Sequence, residues 1–310
     1  MRGFRPSTGV GVVLACVAVF ASARRADAQE LEPRAYSPSP VGTHFVQLGF
    51  GHSWGDIIFD PSLPIEDADG AFNTPVAGLG TTFGVFGRQA QAAAVLPYAW
   101  GDAEGKVEGQ QQRTTRSGLA DLRVRFSVNL VGGPALSRQE FATAKRNVAV
   151  GASVVVNAPT GQYEPVRLIN IGTNRWAFKP EVGVAWFRGR WEFDGAAGVW
   201  LFTDNPEFYT GTSRLEQDPL TSFQAHACYI VRPGLWFAAD ATWYVGGEVR
   251  VDAAPPKSRQ NNTRLGITAS IPLVARHSLK LSFNRGATAR VGQDFRTLAA
   301  SWQYAWFSGP

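Results

Sequence analysis

The sequence predicts an all-β protein: a transmembrane antiparallel up-and-down β-barrel of about twelve strands, preceded by a cleavable signal peptide. Three observations carry that prediction. Hydrophobicity alternates with period two over segments of about ten residues, the length of a tilted membrane strand, where globular strands average about five or six. The connections between those segments are mostly short at one end and long at the other. The last segment places Leu298, Ala300, Trp302, Tyr304 and Trp306 on one face, with Phe307 next, an aromatic ending typical of outer-membrane barrels.

Export is legible first. Arg2 and Arg5 precede an apolar run from Val10 to Ala21, and Ala26-Asp27-Ala28 is a small-x-small triplet that suits signal peptidase. The run is shorter than the roughly 20 residues a permanent span needs. Residues 1–28 are therefore expected to be a signal peptide, 29–42 a short periplasmic segment and 43–307 the barrel. A lipoprotein modified at Cys16 is the weaker reading, because the apolar run continues through Val17, Val19 and Phe20. The signal carries Arg2, Arg5, Arg24, Arg25 and Asp27, so its removal lowers the net charge from +5 to +2 and leaves little case for nucleic acid as a partner. One cysteine then remains, Cys228, and a closed barrel needs no disulfide.

No later segment offers 18 consecutive apolar residues. Strands are expected to begin near Thr43, Val76, Gln89, Leu119, Asn147, Ala177, Trp191, Thr221, Leu235, Thr263, Ser278 and Phe295. Short turns fall around Gly87, Gly189, Pro233 and Arg276, with a longer link from Gly132 to Arg146 that has room for a short helix. Long connections are expected at 52–75, 101–117, 158–175, 203–219 and 246–262. An even strand number leaves both termini on the periplasmic side. A soluble β-sandwich also alternates, but its strands are shorter.

Strand parity then separates a lipid face from a lumen face. In the stretch from Leu119 to Val131, Leu122, Val124, Phe126, Val128 and Leu130 oppose Asp121, Arg123 and Arg125. The same parity assigns Lys179, Glu181, Glu192, Asp194, Gln224, His226, Asp240, Arg264, Lys280 and Asn284 to the lumen. Trp186, Trp191, Trp236 and Trp243, near strand ends, suit interfacial girdles.

Several short motifs point beyond fold class. Asn157-Ala158-Pro159-Thr160-Gly161-Gln162-Tyr163 and Asn170-Ile171-Gly172-Thr173-Asn174-Arg175-Trp176 are the longest. Leu96-Pro97-Tyr98, Ser117-Gly118-Leu119-Ala120-Asp121 and Phe202-Thr203-Asp204-Asn205 accompany them. Over about Thr43 to Trp306 the chain resembles the outer-membrane family labelled for a MetA pathway of phenol degradation. The resemblance implies a transporter-like barrel with a link to aromatic-compound catabolism. It carries over no catalytic residue.

Enzymatic and metal motifs are poor. None of His44, His52, His226 and His277 has a serine two residues on, the spacing that would join both side chains on one strand face in an outer-membrane hydrolase. His226 and Cys228 share a face, but one such pair is a weak metal signal. The acidic group Asp56, Asp60, Glu66, Asp67 and Asp69 misses EF-hand spacing and reads as a solvated loop before a Ca²⁺ or lipopolysaccharide bridge. No cofactor is expected. The expected partners are outer-membrane lipid and lipopolysaccharide, the barrel-assembly machinery and a small-molecule solute. The expected function is passive or facilitated uptake of that solute, with aromatic or hydrophobic compounds as the class the resemblance implies. A structural or surface barrel without transport is the alternative. About fourteen residues before Thr43 are too few for the N-terminal hatch domain of larger hydrophobic-compound transporters, so no N-terminal plug is expected.

Overall fold

A computed structural model describes residues 32–58, 65–107, 109–209, 211–252, 259–288 and 292–308. The signal peptide expected at 1–28 and Cys16 lie outside the described residues. The strands are β1 (Thr43–Ile58), β2 (Ile65–Val85), β3 (Arg88–Val107), β4 (Gln110–Leu119), β5 (Leu122–Val131), β6 (Val148–Ala158), β7 (Ala177–Arg188) and β8 (Trp191–Phe202). They continue as β9 (Asn205–Phe208), β10 (Ser213–Gln217), β11 (Leu220–Arg232), β12 (Leu235–Gly246), β13 (Val249–Val251), β14 (Gln260–Pro272), β15 (His277–Thr288) and β16 (Gly292–Phe307).

Every neighbouring pair is antiparallel. β1 pairs with β16 on one side and β2 on the other, and the β2–β3 pairing closes the sheet on itself. β4 and β5 run as one strand along β3, so the wall is a closed barrel of 12 strands. Closure removes the edge that would otherwise expose unpaired backbone groups to lipid. Strands β9, β10 and β13 form a separate small sheet at the long-loop end.

The two-residue turn Phe86-Gly87 has φ of 48° and 73°, the left-handed pair that matches strand twist in a tight hairpin. The longer 132–147 link contains helix α1 (Arg138–Thr143), started by a capping box between Ser137 and Glu140. The stretches 52–75 and 101–117, expected as long loops, are instead largely strand: β1, β2, β3 and β4 extend well past their neighbours. Their Gly, Asp and Gln content hides strand pattern because these extensions no longer face lipid on one side.

The outer face is apolar. Leu48, Leu79, Val182 and Ile267 are each about 60% exposed (58, 61, 59 and 63%), which in water would be costly and in lipid is not. Trp186, Trp191 and Trp243 also stand outward. Trp236 does not: it is buried on the inner face beside Cys228 and Ala238, since its parity with Asp240 outweighs its position near a strand end. At the short-turn end, His44, Trp302, Tyr304, Trp306 and His277 form a continuous outer aromatic group linked by ring contacts and by Trp302 Nε1 donating to His277 Nδ1.

Candidate functional site: the barrel lumen

The interior is layered along the strands. Nearest the short turns lie Trp236, Cys228, Ala238 and Ile230. Next comes a charged layer. Lys179 Nζ pairs with Glu181 Oε2 at 2.8 Å, and both side chains are buried. Gln224 Nε2 donates to the same oxygen at 3.4 Å. His226 Nδ1 lies 2.7 Å from Asp240 Oδ1, whose other oxygen accepts from Thr268 Oγ1 at 2.7 Å. Asp194 and Glu192 lie beside them on β8. Toward the long loops follows an apolar layer of Val155, Ala177, Trp200, Leu220 and Tyr244. Lys179 and Arg123 approach the Trp200 ring at 5.3 and 6.0 Å. Phe72, Ala103 and Phe295 form a second apolar group at the long-loop end, with Ile57 and Ile169 packed on it.

The segment 32–42 occupies the lumen at the charged layer. This revises the expectation of an unplugged barrel. A bore of 12 strands is narrow and already filled largely by side chains, so an eleven-residue strap suffices where a wider barrel needs a domain. The strap rises from Thr43, with Val41 N donating to Leu136 O at 2.9 Å and Ser39 N to Gln89 Oε1 at 3.1 Å. Tyr36 is 3% exposed, with its hydroxyl 2.9 Å from Ser153 Oγ and 2.9 Å from Glu181 Oε1. Arg34, with φ of 68°, donates from its backbone N to Asp194 Oδ2 at 2.9 Å and from Nε to Glu192 Oε2 at 2.8 Å. Its guanidinium also stands 5.5 Å from the Trp236 ring. Glu32 meets Arg125 at 3.3 Å. Beside the strap remains a cavity of about 20 Å³ lined by Tyr36, Arg125, Lys179, Glu181, Asp194 and His226 among others, enough for a water but not a solute.

Among the expected lumen residues, Lys179, Glu181, Glu192, Asp194, Gln224, His226 and Asp240 thus converge on one layer, with Arg125 reaching Glu181 at 3.4 Å. Arg123 binds Asn157 Oδ1 at 3.0 Å. Arg264 lies higher, bound to Asn284 Oδ1 and to Phe295 O at 2.9 Å. Lys280 is half-buried on β15, level with Ser270 and Ser301. Asp121 has a different place. It sits at a bulge between β4 and β5, where the register against β3 slips by one residue. Its carboxylate accepts from Gly161 N at 2.9 Å, Thr173 N at 3.0 Å and Thr173 Oγ1 at 2.6 Å.

That anchor explains the recurring motifs. Gln162 N donates to Leu119 O, Leu122 N to Thr160 Oγ1, and Gly172 N to Gln162 O. Gly161 and Gly172 touch: a Cβ on Gly172 would stand 2.6 Å from Gly161 C. Tyr163 accepts from Asn205 Nδ2 at 2.8 Å, Asn174 Nδ2 donates to Asn205 Oδ1 at 2.9 Å, and Trp176 pairs with Thr203. Arg175 lies over Phe202 at 4.6 Å and binds Gln217 Oε1, and burial pulls its guanidinium down to about 10. The separated motifs thus build one knot that ties loop 159–176 across the long-loop end, delivering Ile169 into the apolar group there. Of the acidic group, Asp67 pairs with Lys106 at 2.6 Å and Asp56 faces Asp69 across β1–β2, while Asp60 lies outside the described residues.

Fold and interior together define a transmembrane β-barrel of the outer-membrane type, with an apolar outer belt and a polar, strap-filled lumen. The chain belongs to the family described as "Putative MetA-pathway of phenol degradation", whose model matches residues 68–305. Among solved structures, it is similar to an outer membrane channel from Pseudomonas putida F1, with 23% identity, TM-score 0.76 and coverage of 89% of this chain and 100% of that one. The β domain of the Bordetella autotransporter BrkA matches at 13% identity and TM-score 0.50, covering 86% of this chain and 100% of that one. The toluene transporter TodX of Pseudomonas putida matches at 10% identity and TM-score 0.50, covering 86% and 90%. These likenesses establish the fold. Comparison with curated proteins found no match.

Proposed function

We propose that the protein is a gated outer-membrane channel for passive or facilitated uptake of a small solute, with aromatic or hydrophobic compounds the favoured class, and that it is not an enzyme. The observation that carries this reading is the composition of the lumen filling. A barrel kept only for structure would be best filled by wall side chains packed on one another. Here the central layer is filled by a separate strap that belongs to no barrel strand and can leave without unzipping the sheet. His226, held by Asp240, lines a cavity too small for a substrate, which favours a structural role for the pair. The family's link to phenol degradation and the toluene transporter's similar fold support the solute class. In this reading the short-turn end faces the periplasm, and outer-membrane lipid, lipopolysaccharide and the assembly machinery are the remaining partners.

Liposome swelling with graded solutes tests the proposal. Solute flux that rises when the strap is loosened supports it. Absence of flux from the folded barrel, with the strap intact or deleted, would leave the structural-barrel reading.

A further inference from the structure

The strap carries a phenol ring into a slot that the barrel wall has shaped for it. Gly151 and Gly183 are register partners across β6 and β7. A Cβ on Gly183 would stand 2.1 Å from Tyr36 Cε2, and one on Gly151 would stand 2.6 Å from Tyr36 Cδ1. The wall is therefore hollowed by one side-chain layer where the ring lies flat. Two residues further along the same strands, Ser153 and Glu181 are also register partners, and both hold the ring's hydroxyl at 2.9 Å. On the open side the Arg125 guanidinium covers the ring, 5.0 Å from its centroid. A flat recess, a cationic cover and a paired donor and acceptor at the hydroxyl are the full recognition set for a hydroxylated aromatic ring. All of it belongs to the wall except the ring.

We infer that this slot is a binding site for phenolic solutes, that Tyr36 is its tethered occupant, and that a solute taking the slot releases the strap. The inference rests on the channel reading and adds the site and its chemistry. The docked strap leaves polar atoms unanswered: Glu192 Oε1, Asp194 Oδ1 and Arg125 Nε have no hydrogen-bond partner among the described residues. Water entering as the strap leaves can answer these atoms, but undocking also strips Arg34 from Glu192 and Asp194, so release of the strap is driven by the solute's own binding in the slot. A tethered occupant also sets a threshold. If the strap is docked about 99% of the time, a free phenol binds about 100-fold more weakly than to an empty slot, so only abundant solute opens the lumen.

Titration calorimetry with p-cresol, the side chain of Tyr36 as a free molecule, tests the inference on the intact barrel, with heat-modifiable gel mobility as the check on folding. Tyr36→Ala empties the slot and is expected to tighten p-cresol binding by about tenfold or more. Adding Gly183→Ala to that variant, where the vacated space admits the methyl, is expected to abolish the gain. Toluene, which offers Ser153 and Glu181 no hydroxyl to bind, is expected to gain little from either change. In the unaltered protein, p-cresol and not toluene is expected to speed tryptic cleavage at Arg34. Equal p-cresol affinity in all three proteins, or equal binding of toluene and p-cresol, overturns the site. Flux with no slot effect refutes this inference alone, whereas slot binding without flux in any variant refutes the channel reading alone.

Discussion

Arg34 is the strap's principal electrostatic anchor, and its removal gives the most quantitative prediction. Its side chain is 22% exposed, while the Glu192 carboxylate it holds is fully buried. Truncation to alanine removes the Nε–Glu192 ion pair and the contact over Trp236, while the backbone bond to Asp194 persists only while the strap stays docked. A hydrogen bond to a charged group contributes about 1.5–3 kcal/mol, and stripping one partner from a buried pair costs about 3–5 kcal/mol. Partial exposure of Arg34 argues for the lower part of that range, so Arg34→Ala is expected to weaken docking by about 2–4 kcal/mol. The strap's opening equilibrium then rises roughly 30- to 700-fold, since each 1.4 kcal/mol is a factor of ten. Hydrogen exchange at the Ser39 and Val41 amides reads this out, because their acceptors, Gln89 Oε1 and Leu136 O, do not involve Arg34. Adding Glu192→Gln should recover part of the loss by neutralising the stranded carboxylate. Unchanged exchange at both amides in Arg34→Ala would show that Arg34 does not hold the strap and refute the reasoning.

Other predictions follow from the same structure. Val182→Arg places a charge on the lipid face near the middle of β7 and should cost about 2–4 kcal/mol in bilayer unfolding titrations, whereas an unchanged midpoint would contradict the assignment of that face to lipid. Asp121→Ala removes three bonds to loop 159–176 and should raise proteolysis within the loop, at Arg167, without altering the barrel's gel mobility. Helix α1 should fray in acid. Its Ser137 bonds hold the Glu140 carboxyl below the usual carboxylate range, so the stabilisation is complete above the ordinary Glu pKa of about 4.3 and is lost as pH falls through the lowered value. Nuclear magnetic resonance shifts of residues 137–141 at falling pH check this, and a transition centred above the ordinary value would reverse the sign.

Strand number and strand starts were legible because lipid on one side and a polar lumen on the other impose strict alternation. Thr43, Ala177, Trp191 and Leu235 begin strands where the pattern predicts. The pattern fails beyond the lipid belt, where β1 and β2 extend through Gly- and Asp-rich sequence with no apolar face to reveal them. It also fails at Asp121, because a single-residue bulge resets parity without any turn signal. Lumen charges such as Lys179 and Glu181 were readable from parity, but their convergence with the strap was not. Residues 32–42 have no periodicity, and their lumen contacts depend on residues up to 160 positions away. One signal was available: Gly151 and Gly183 both fall on the inner stripes of β6 and β7, among Ala149, Ser153, Glu181 and Ala185, and paired glycines on neighbouring strands mark the close approach of another group.

The central claim is that the strap occludes a conducting lumen, and planar-bilayer recording of the full barrel against a variant lacking residues 32–41 tests it most directly. Removing the strap withdraws Tyr36 and Arg34 from the charged layer while leaving every barrel strand intact. The full barrel is expected to open rarely and briefly, and the deletion variant to stay open for long periods. Equal conductance and open time in the two folded proteins would contradict it.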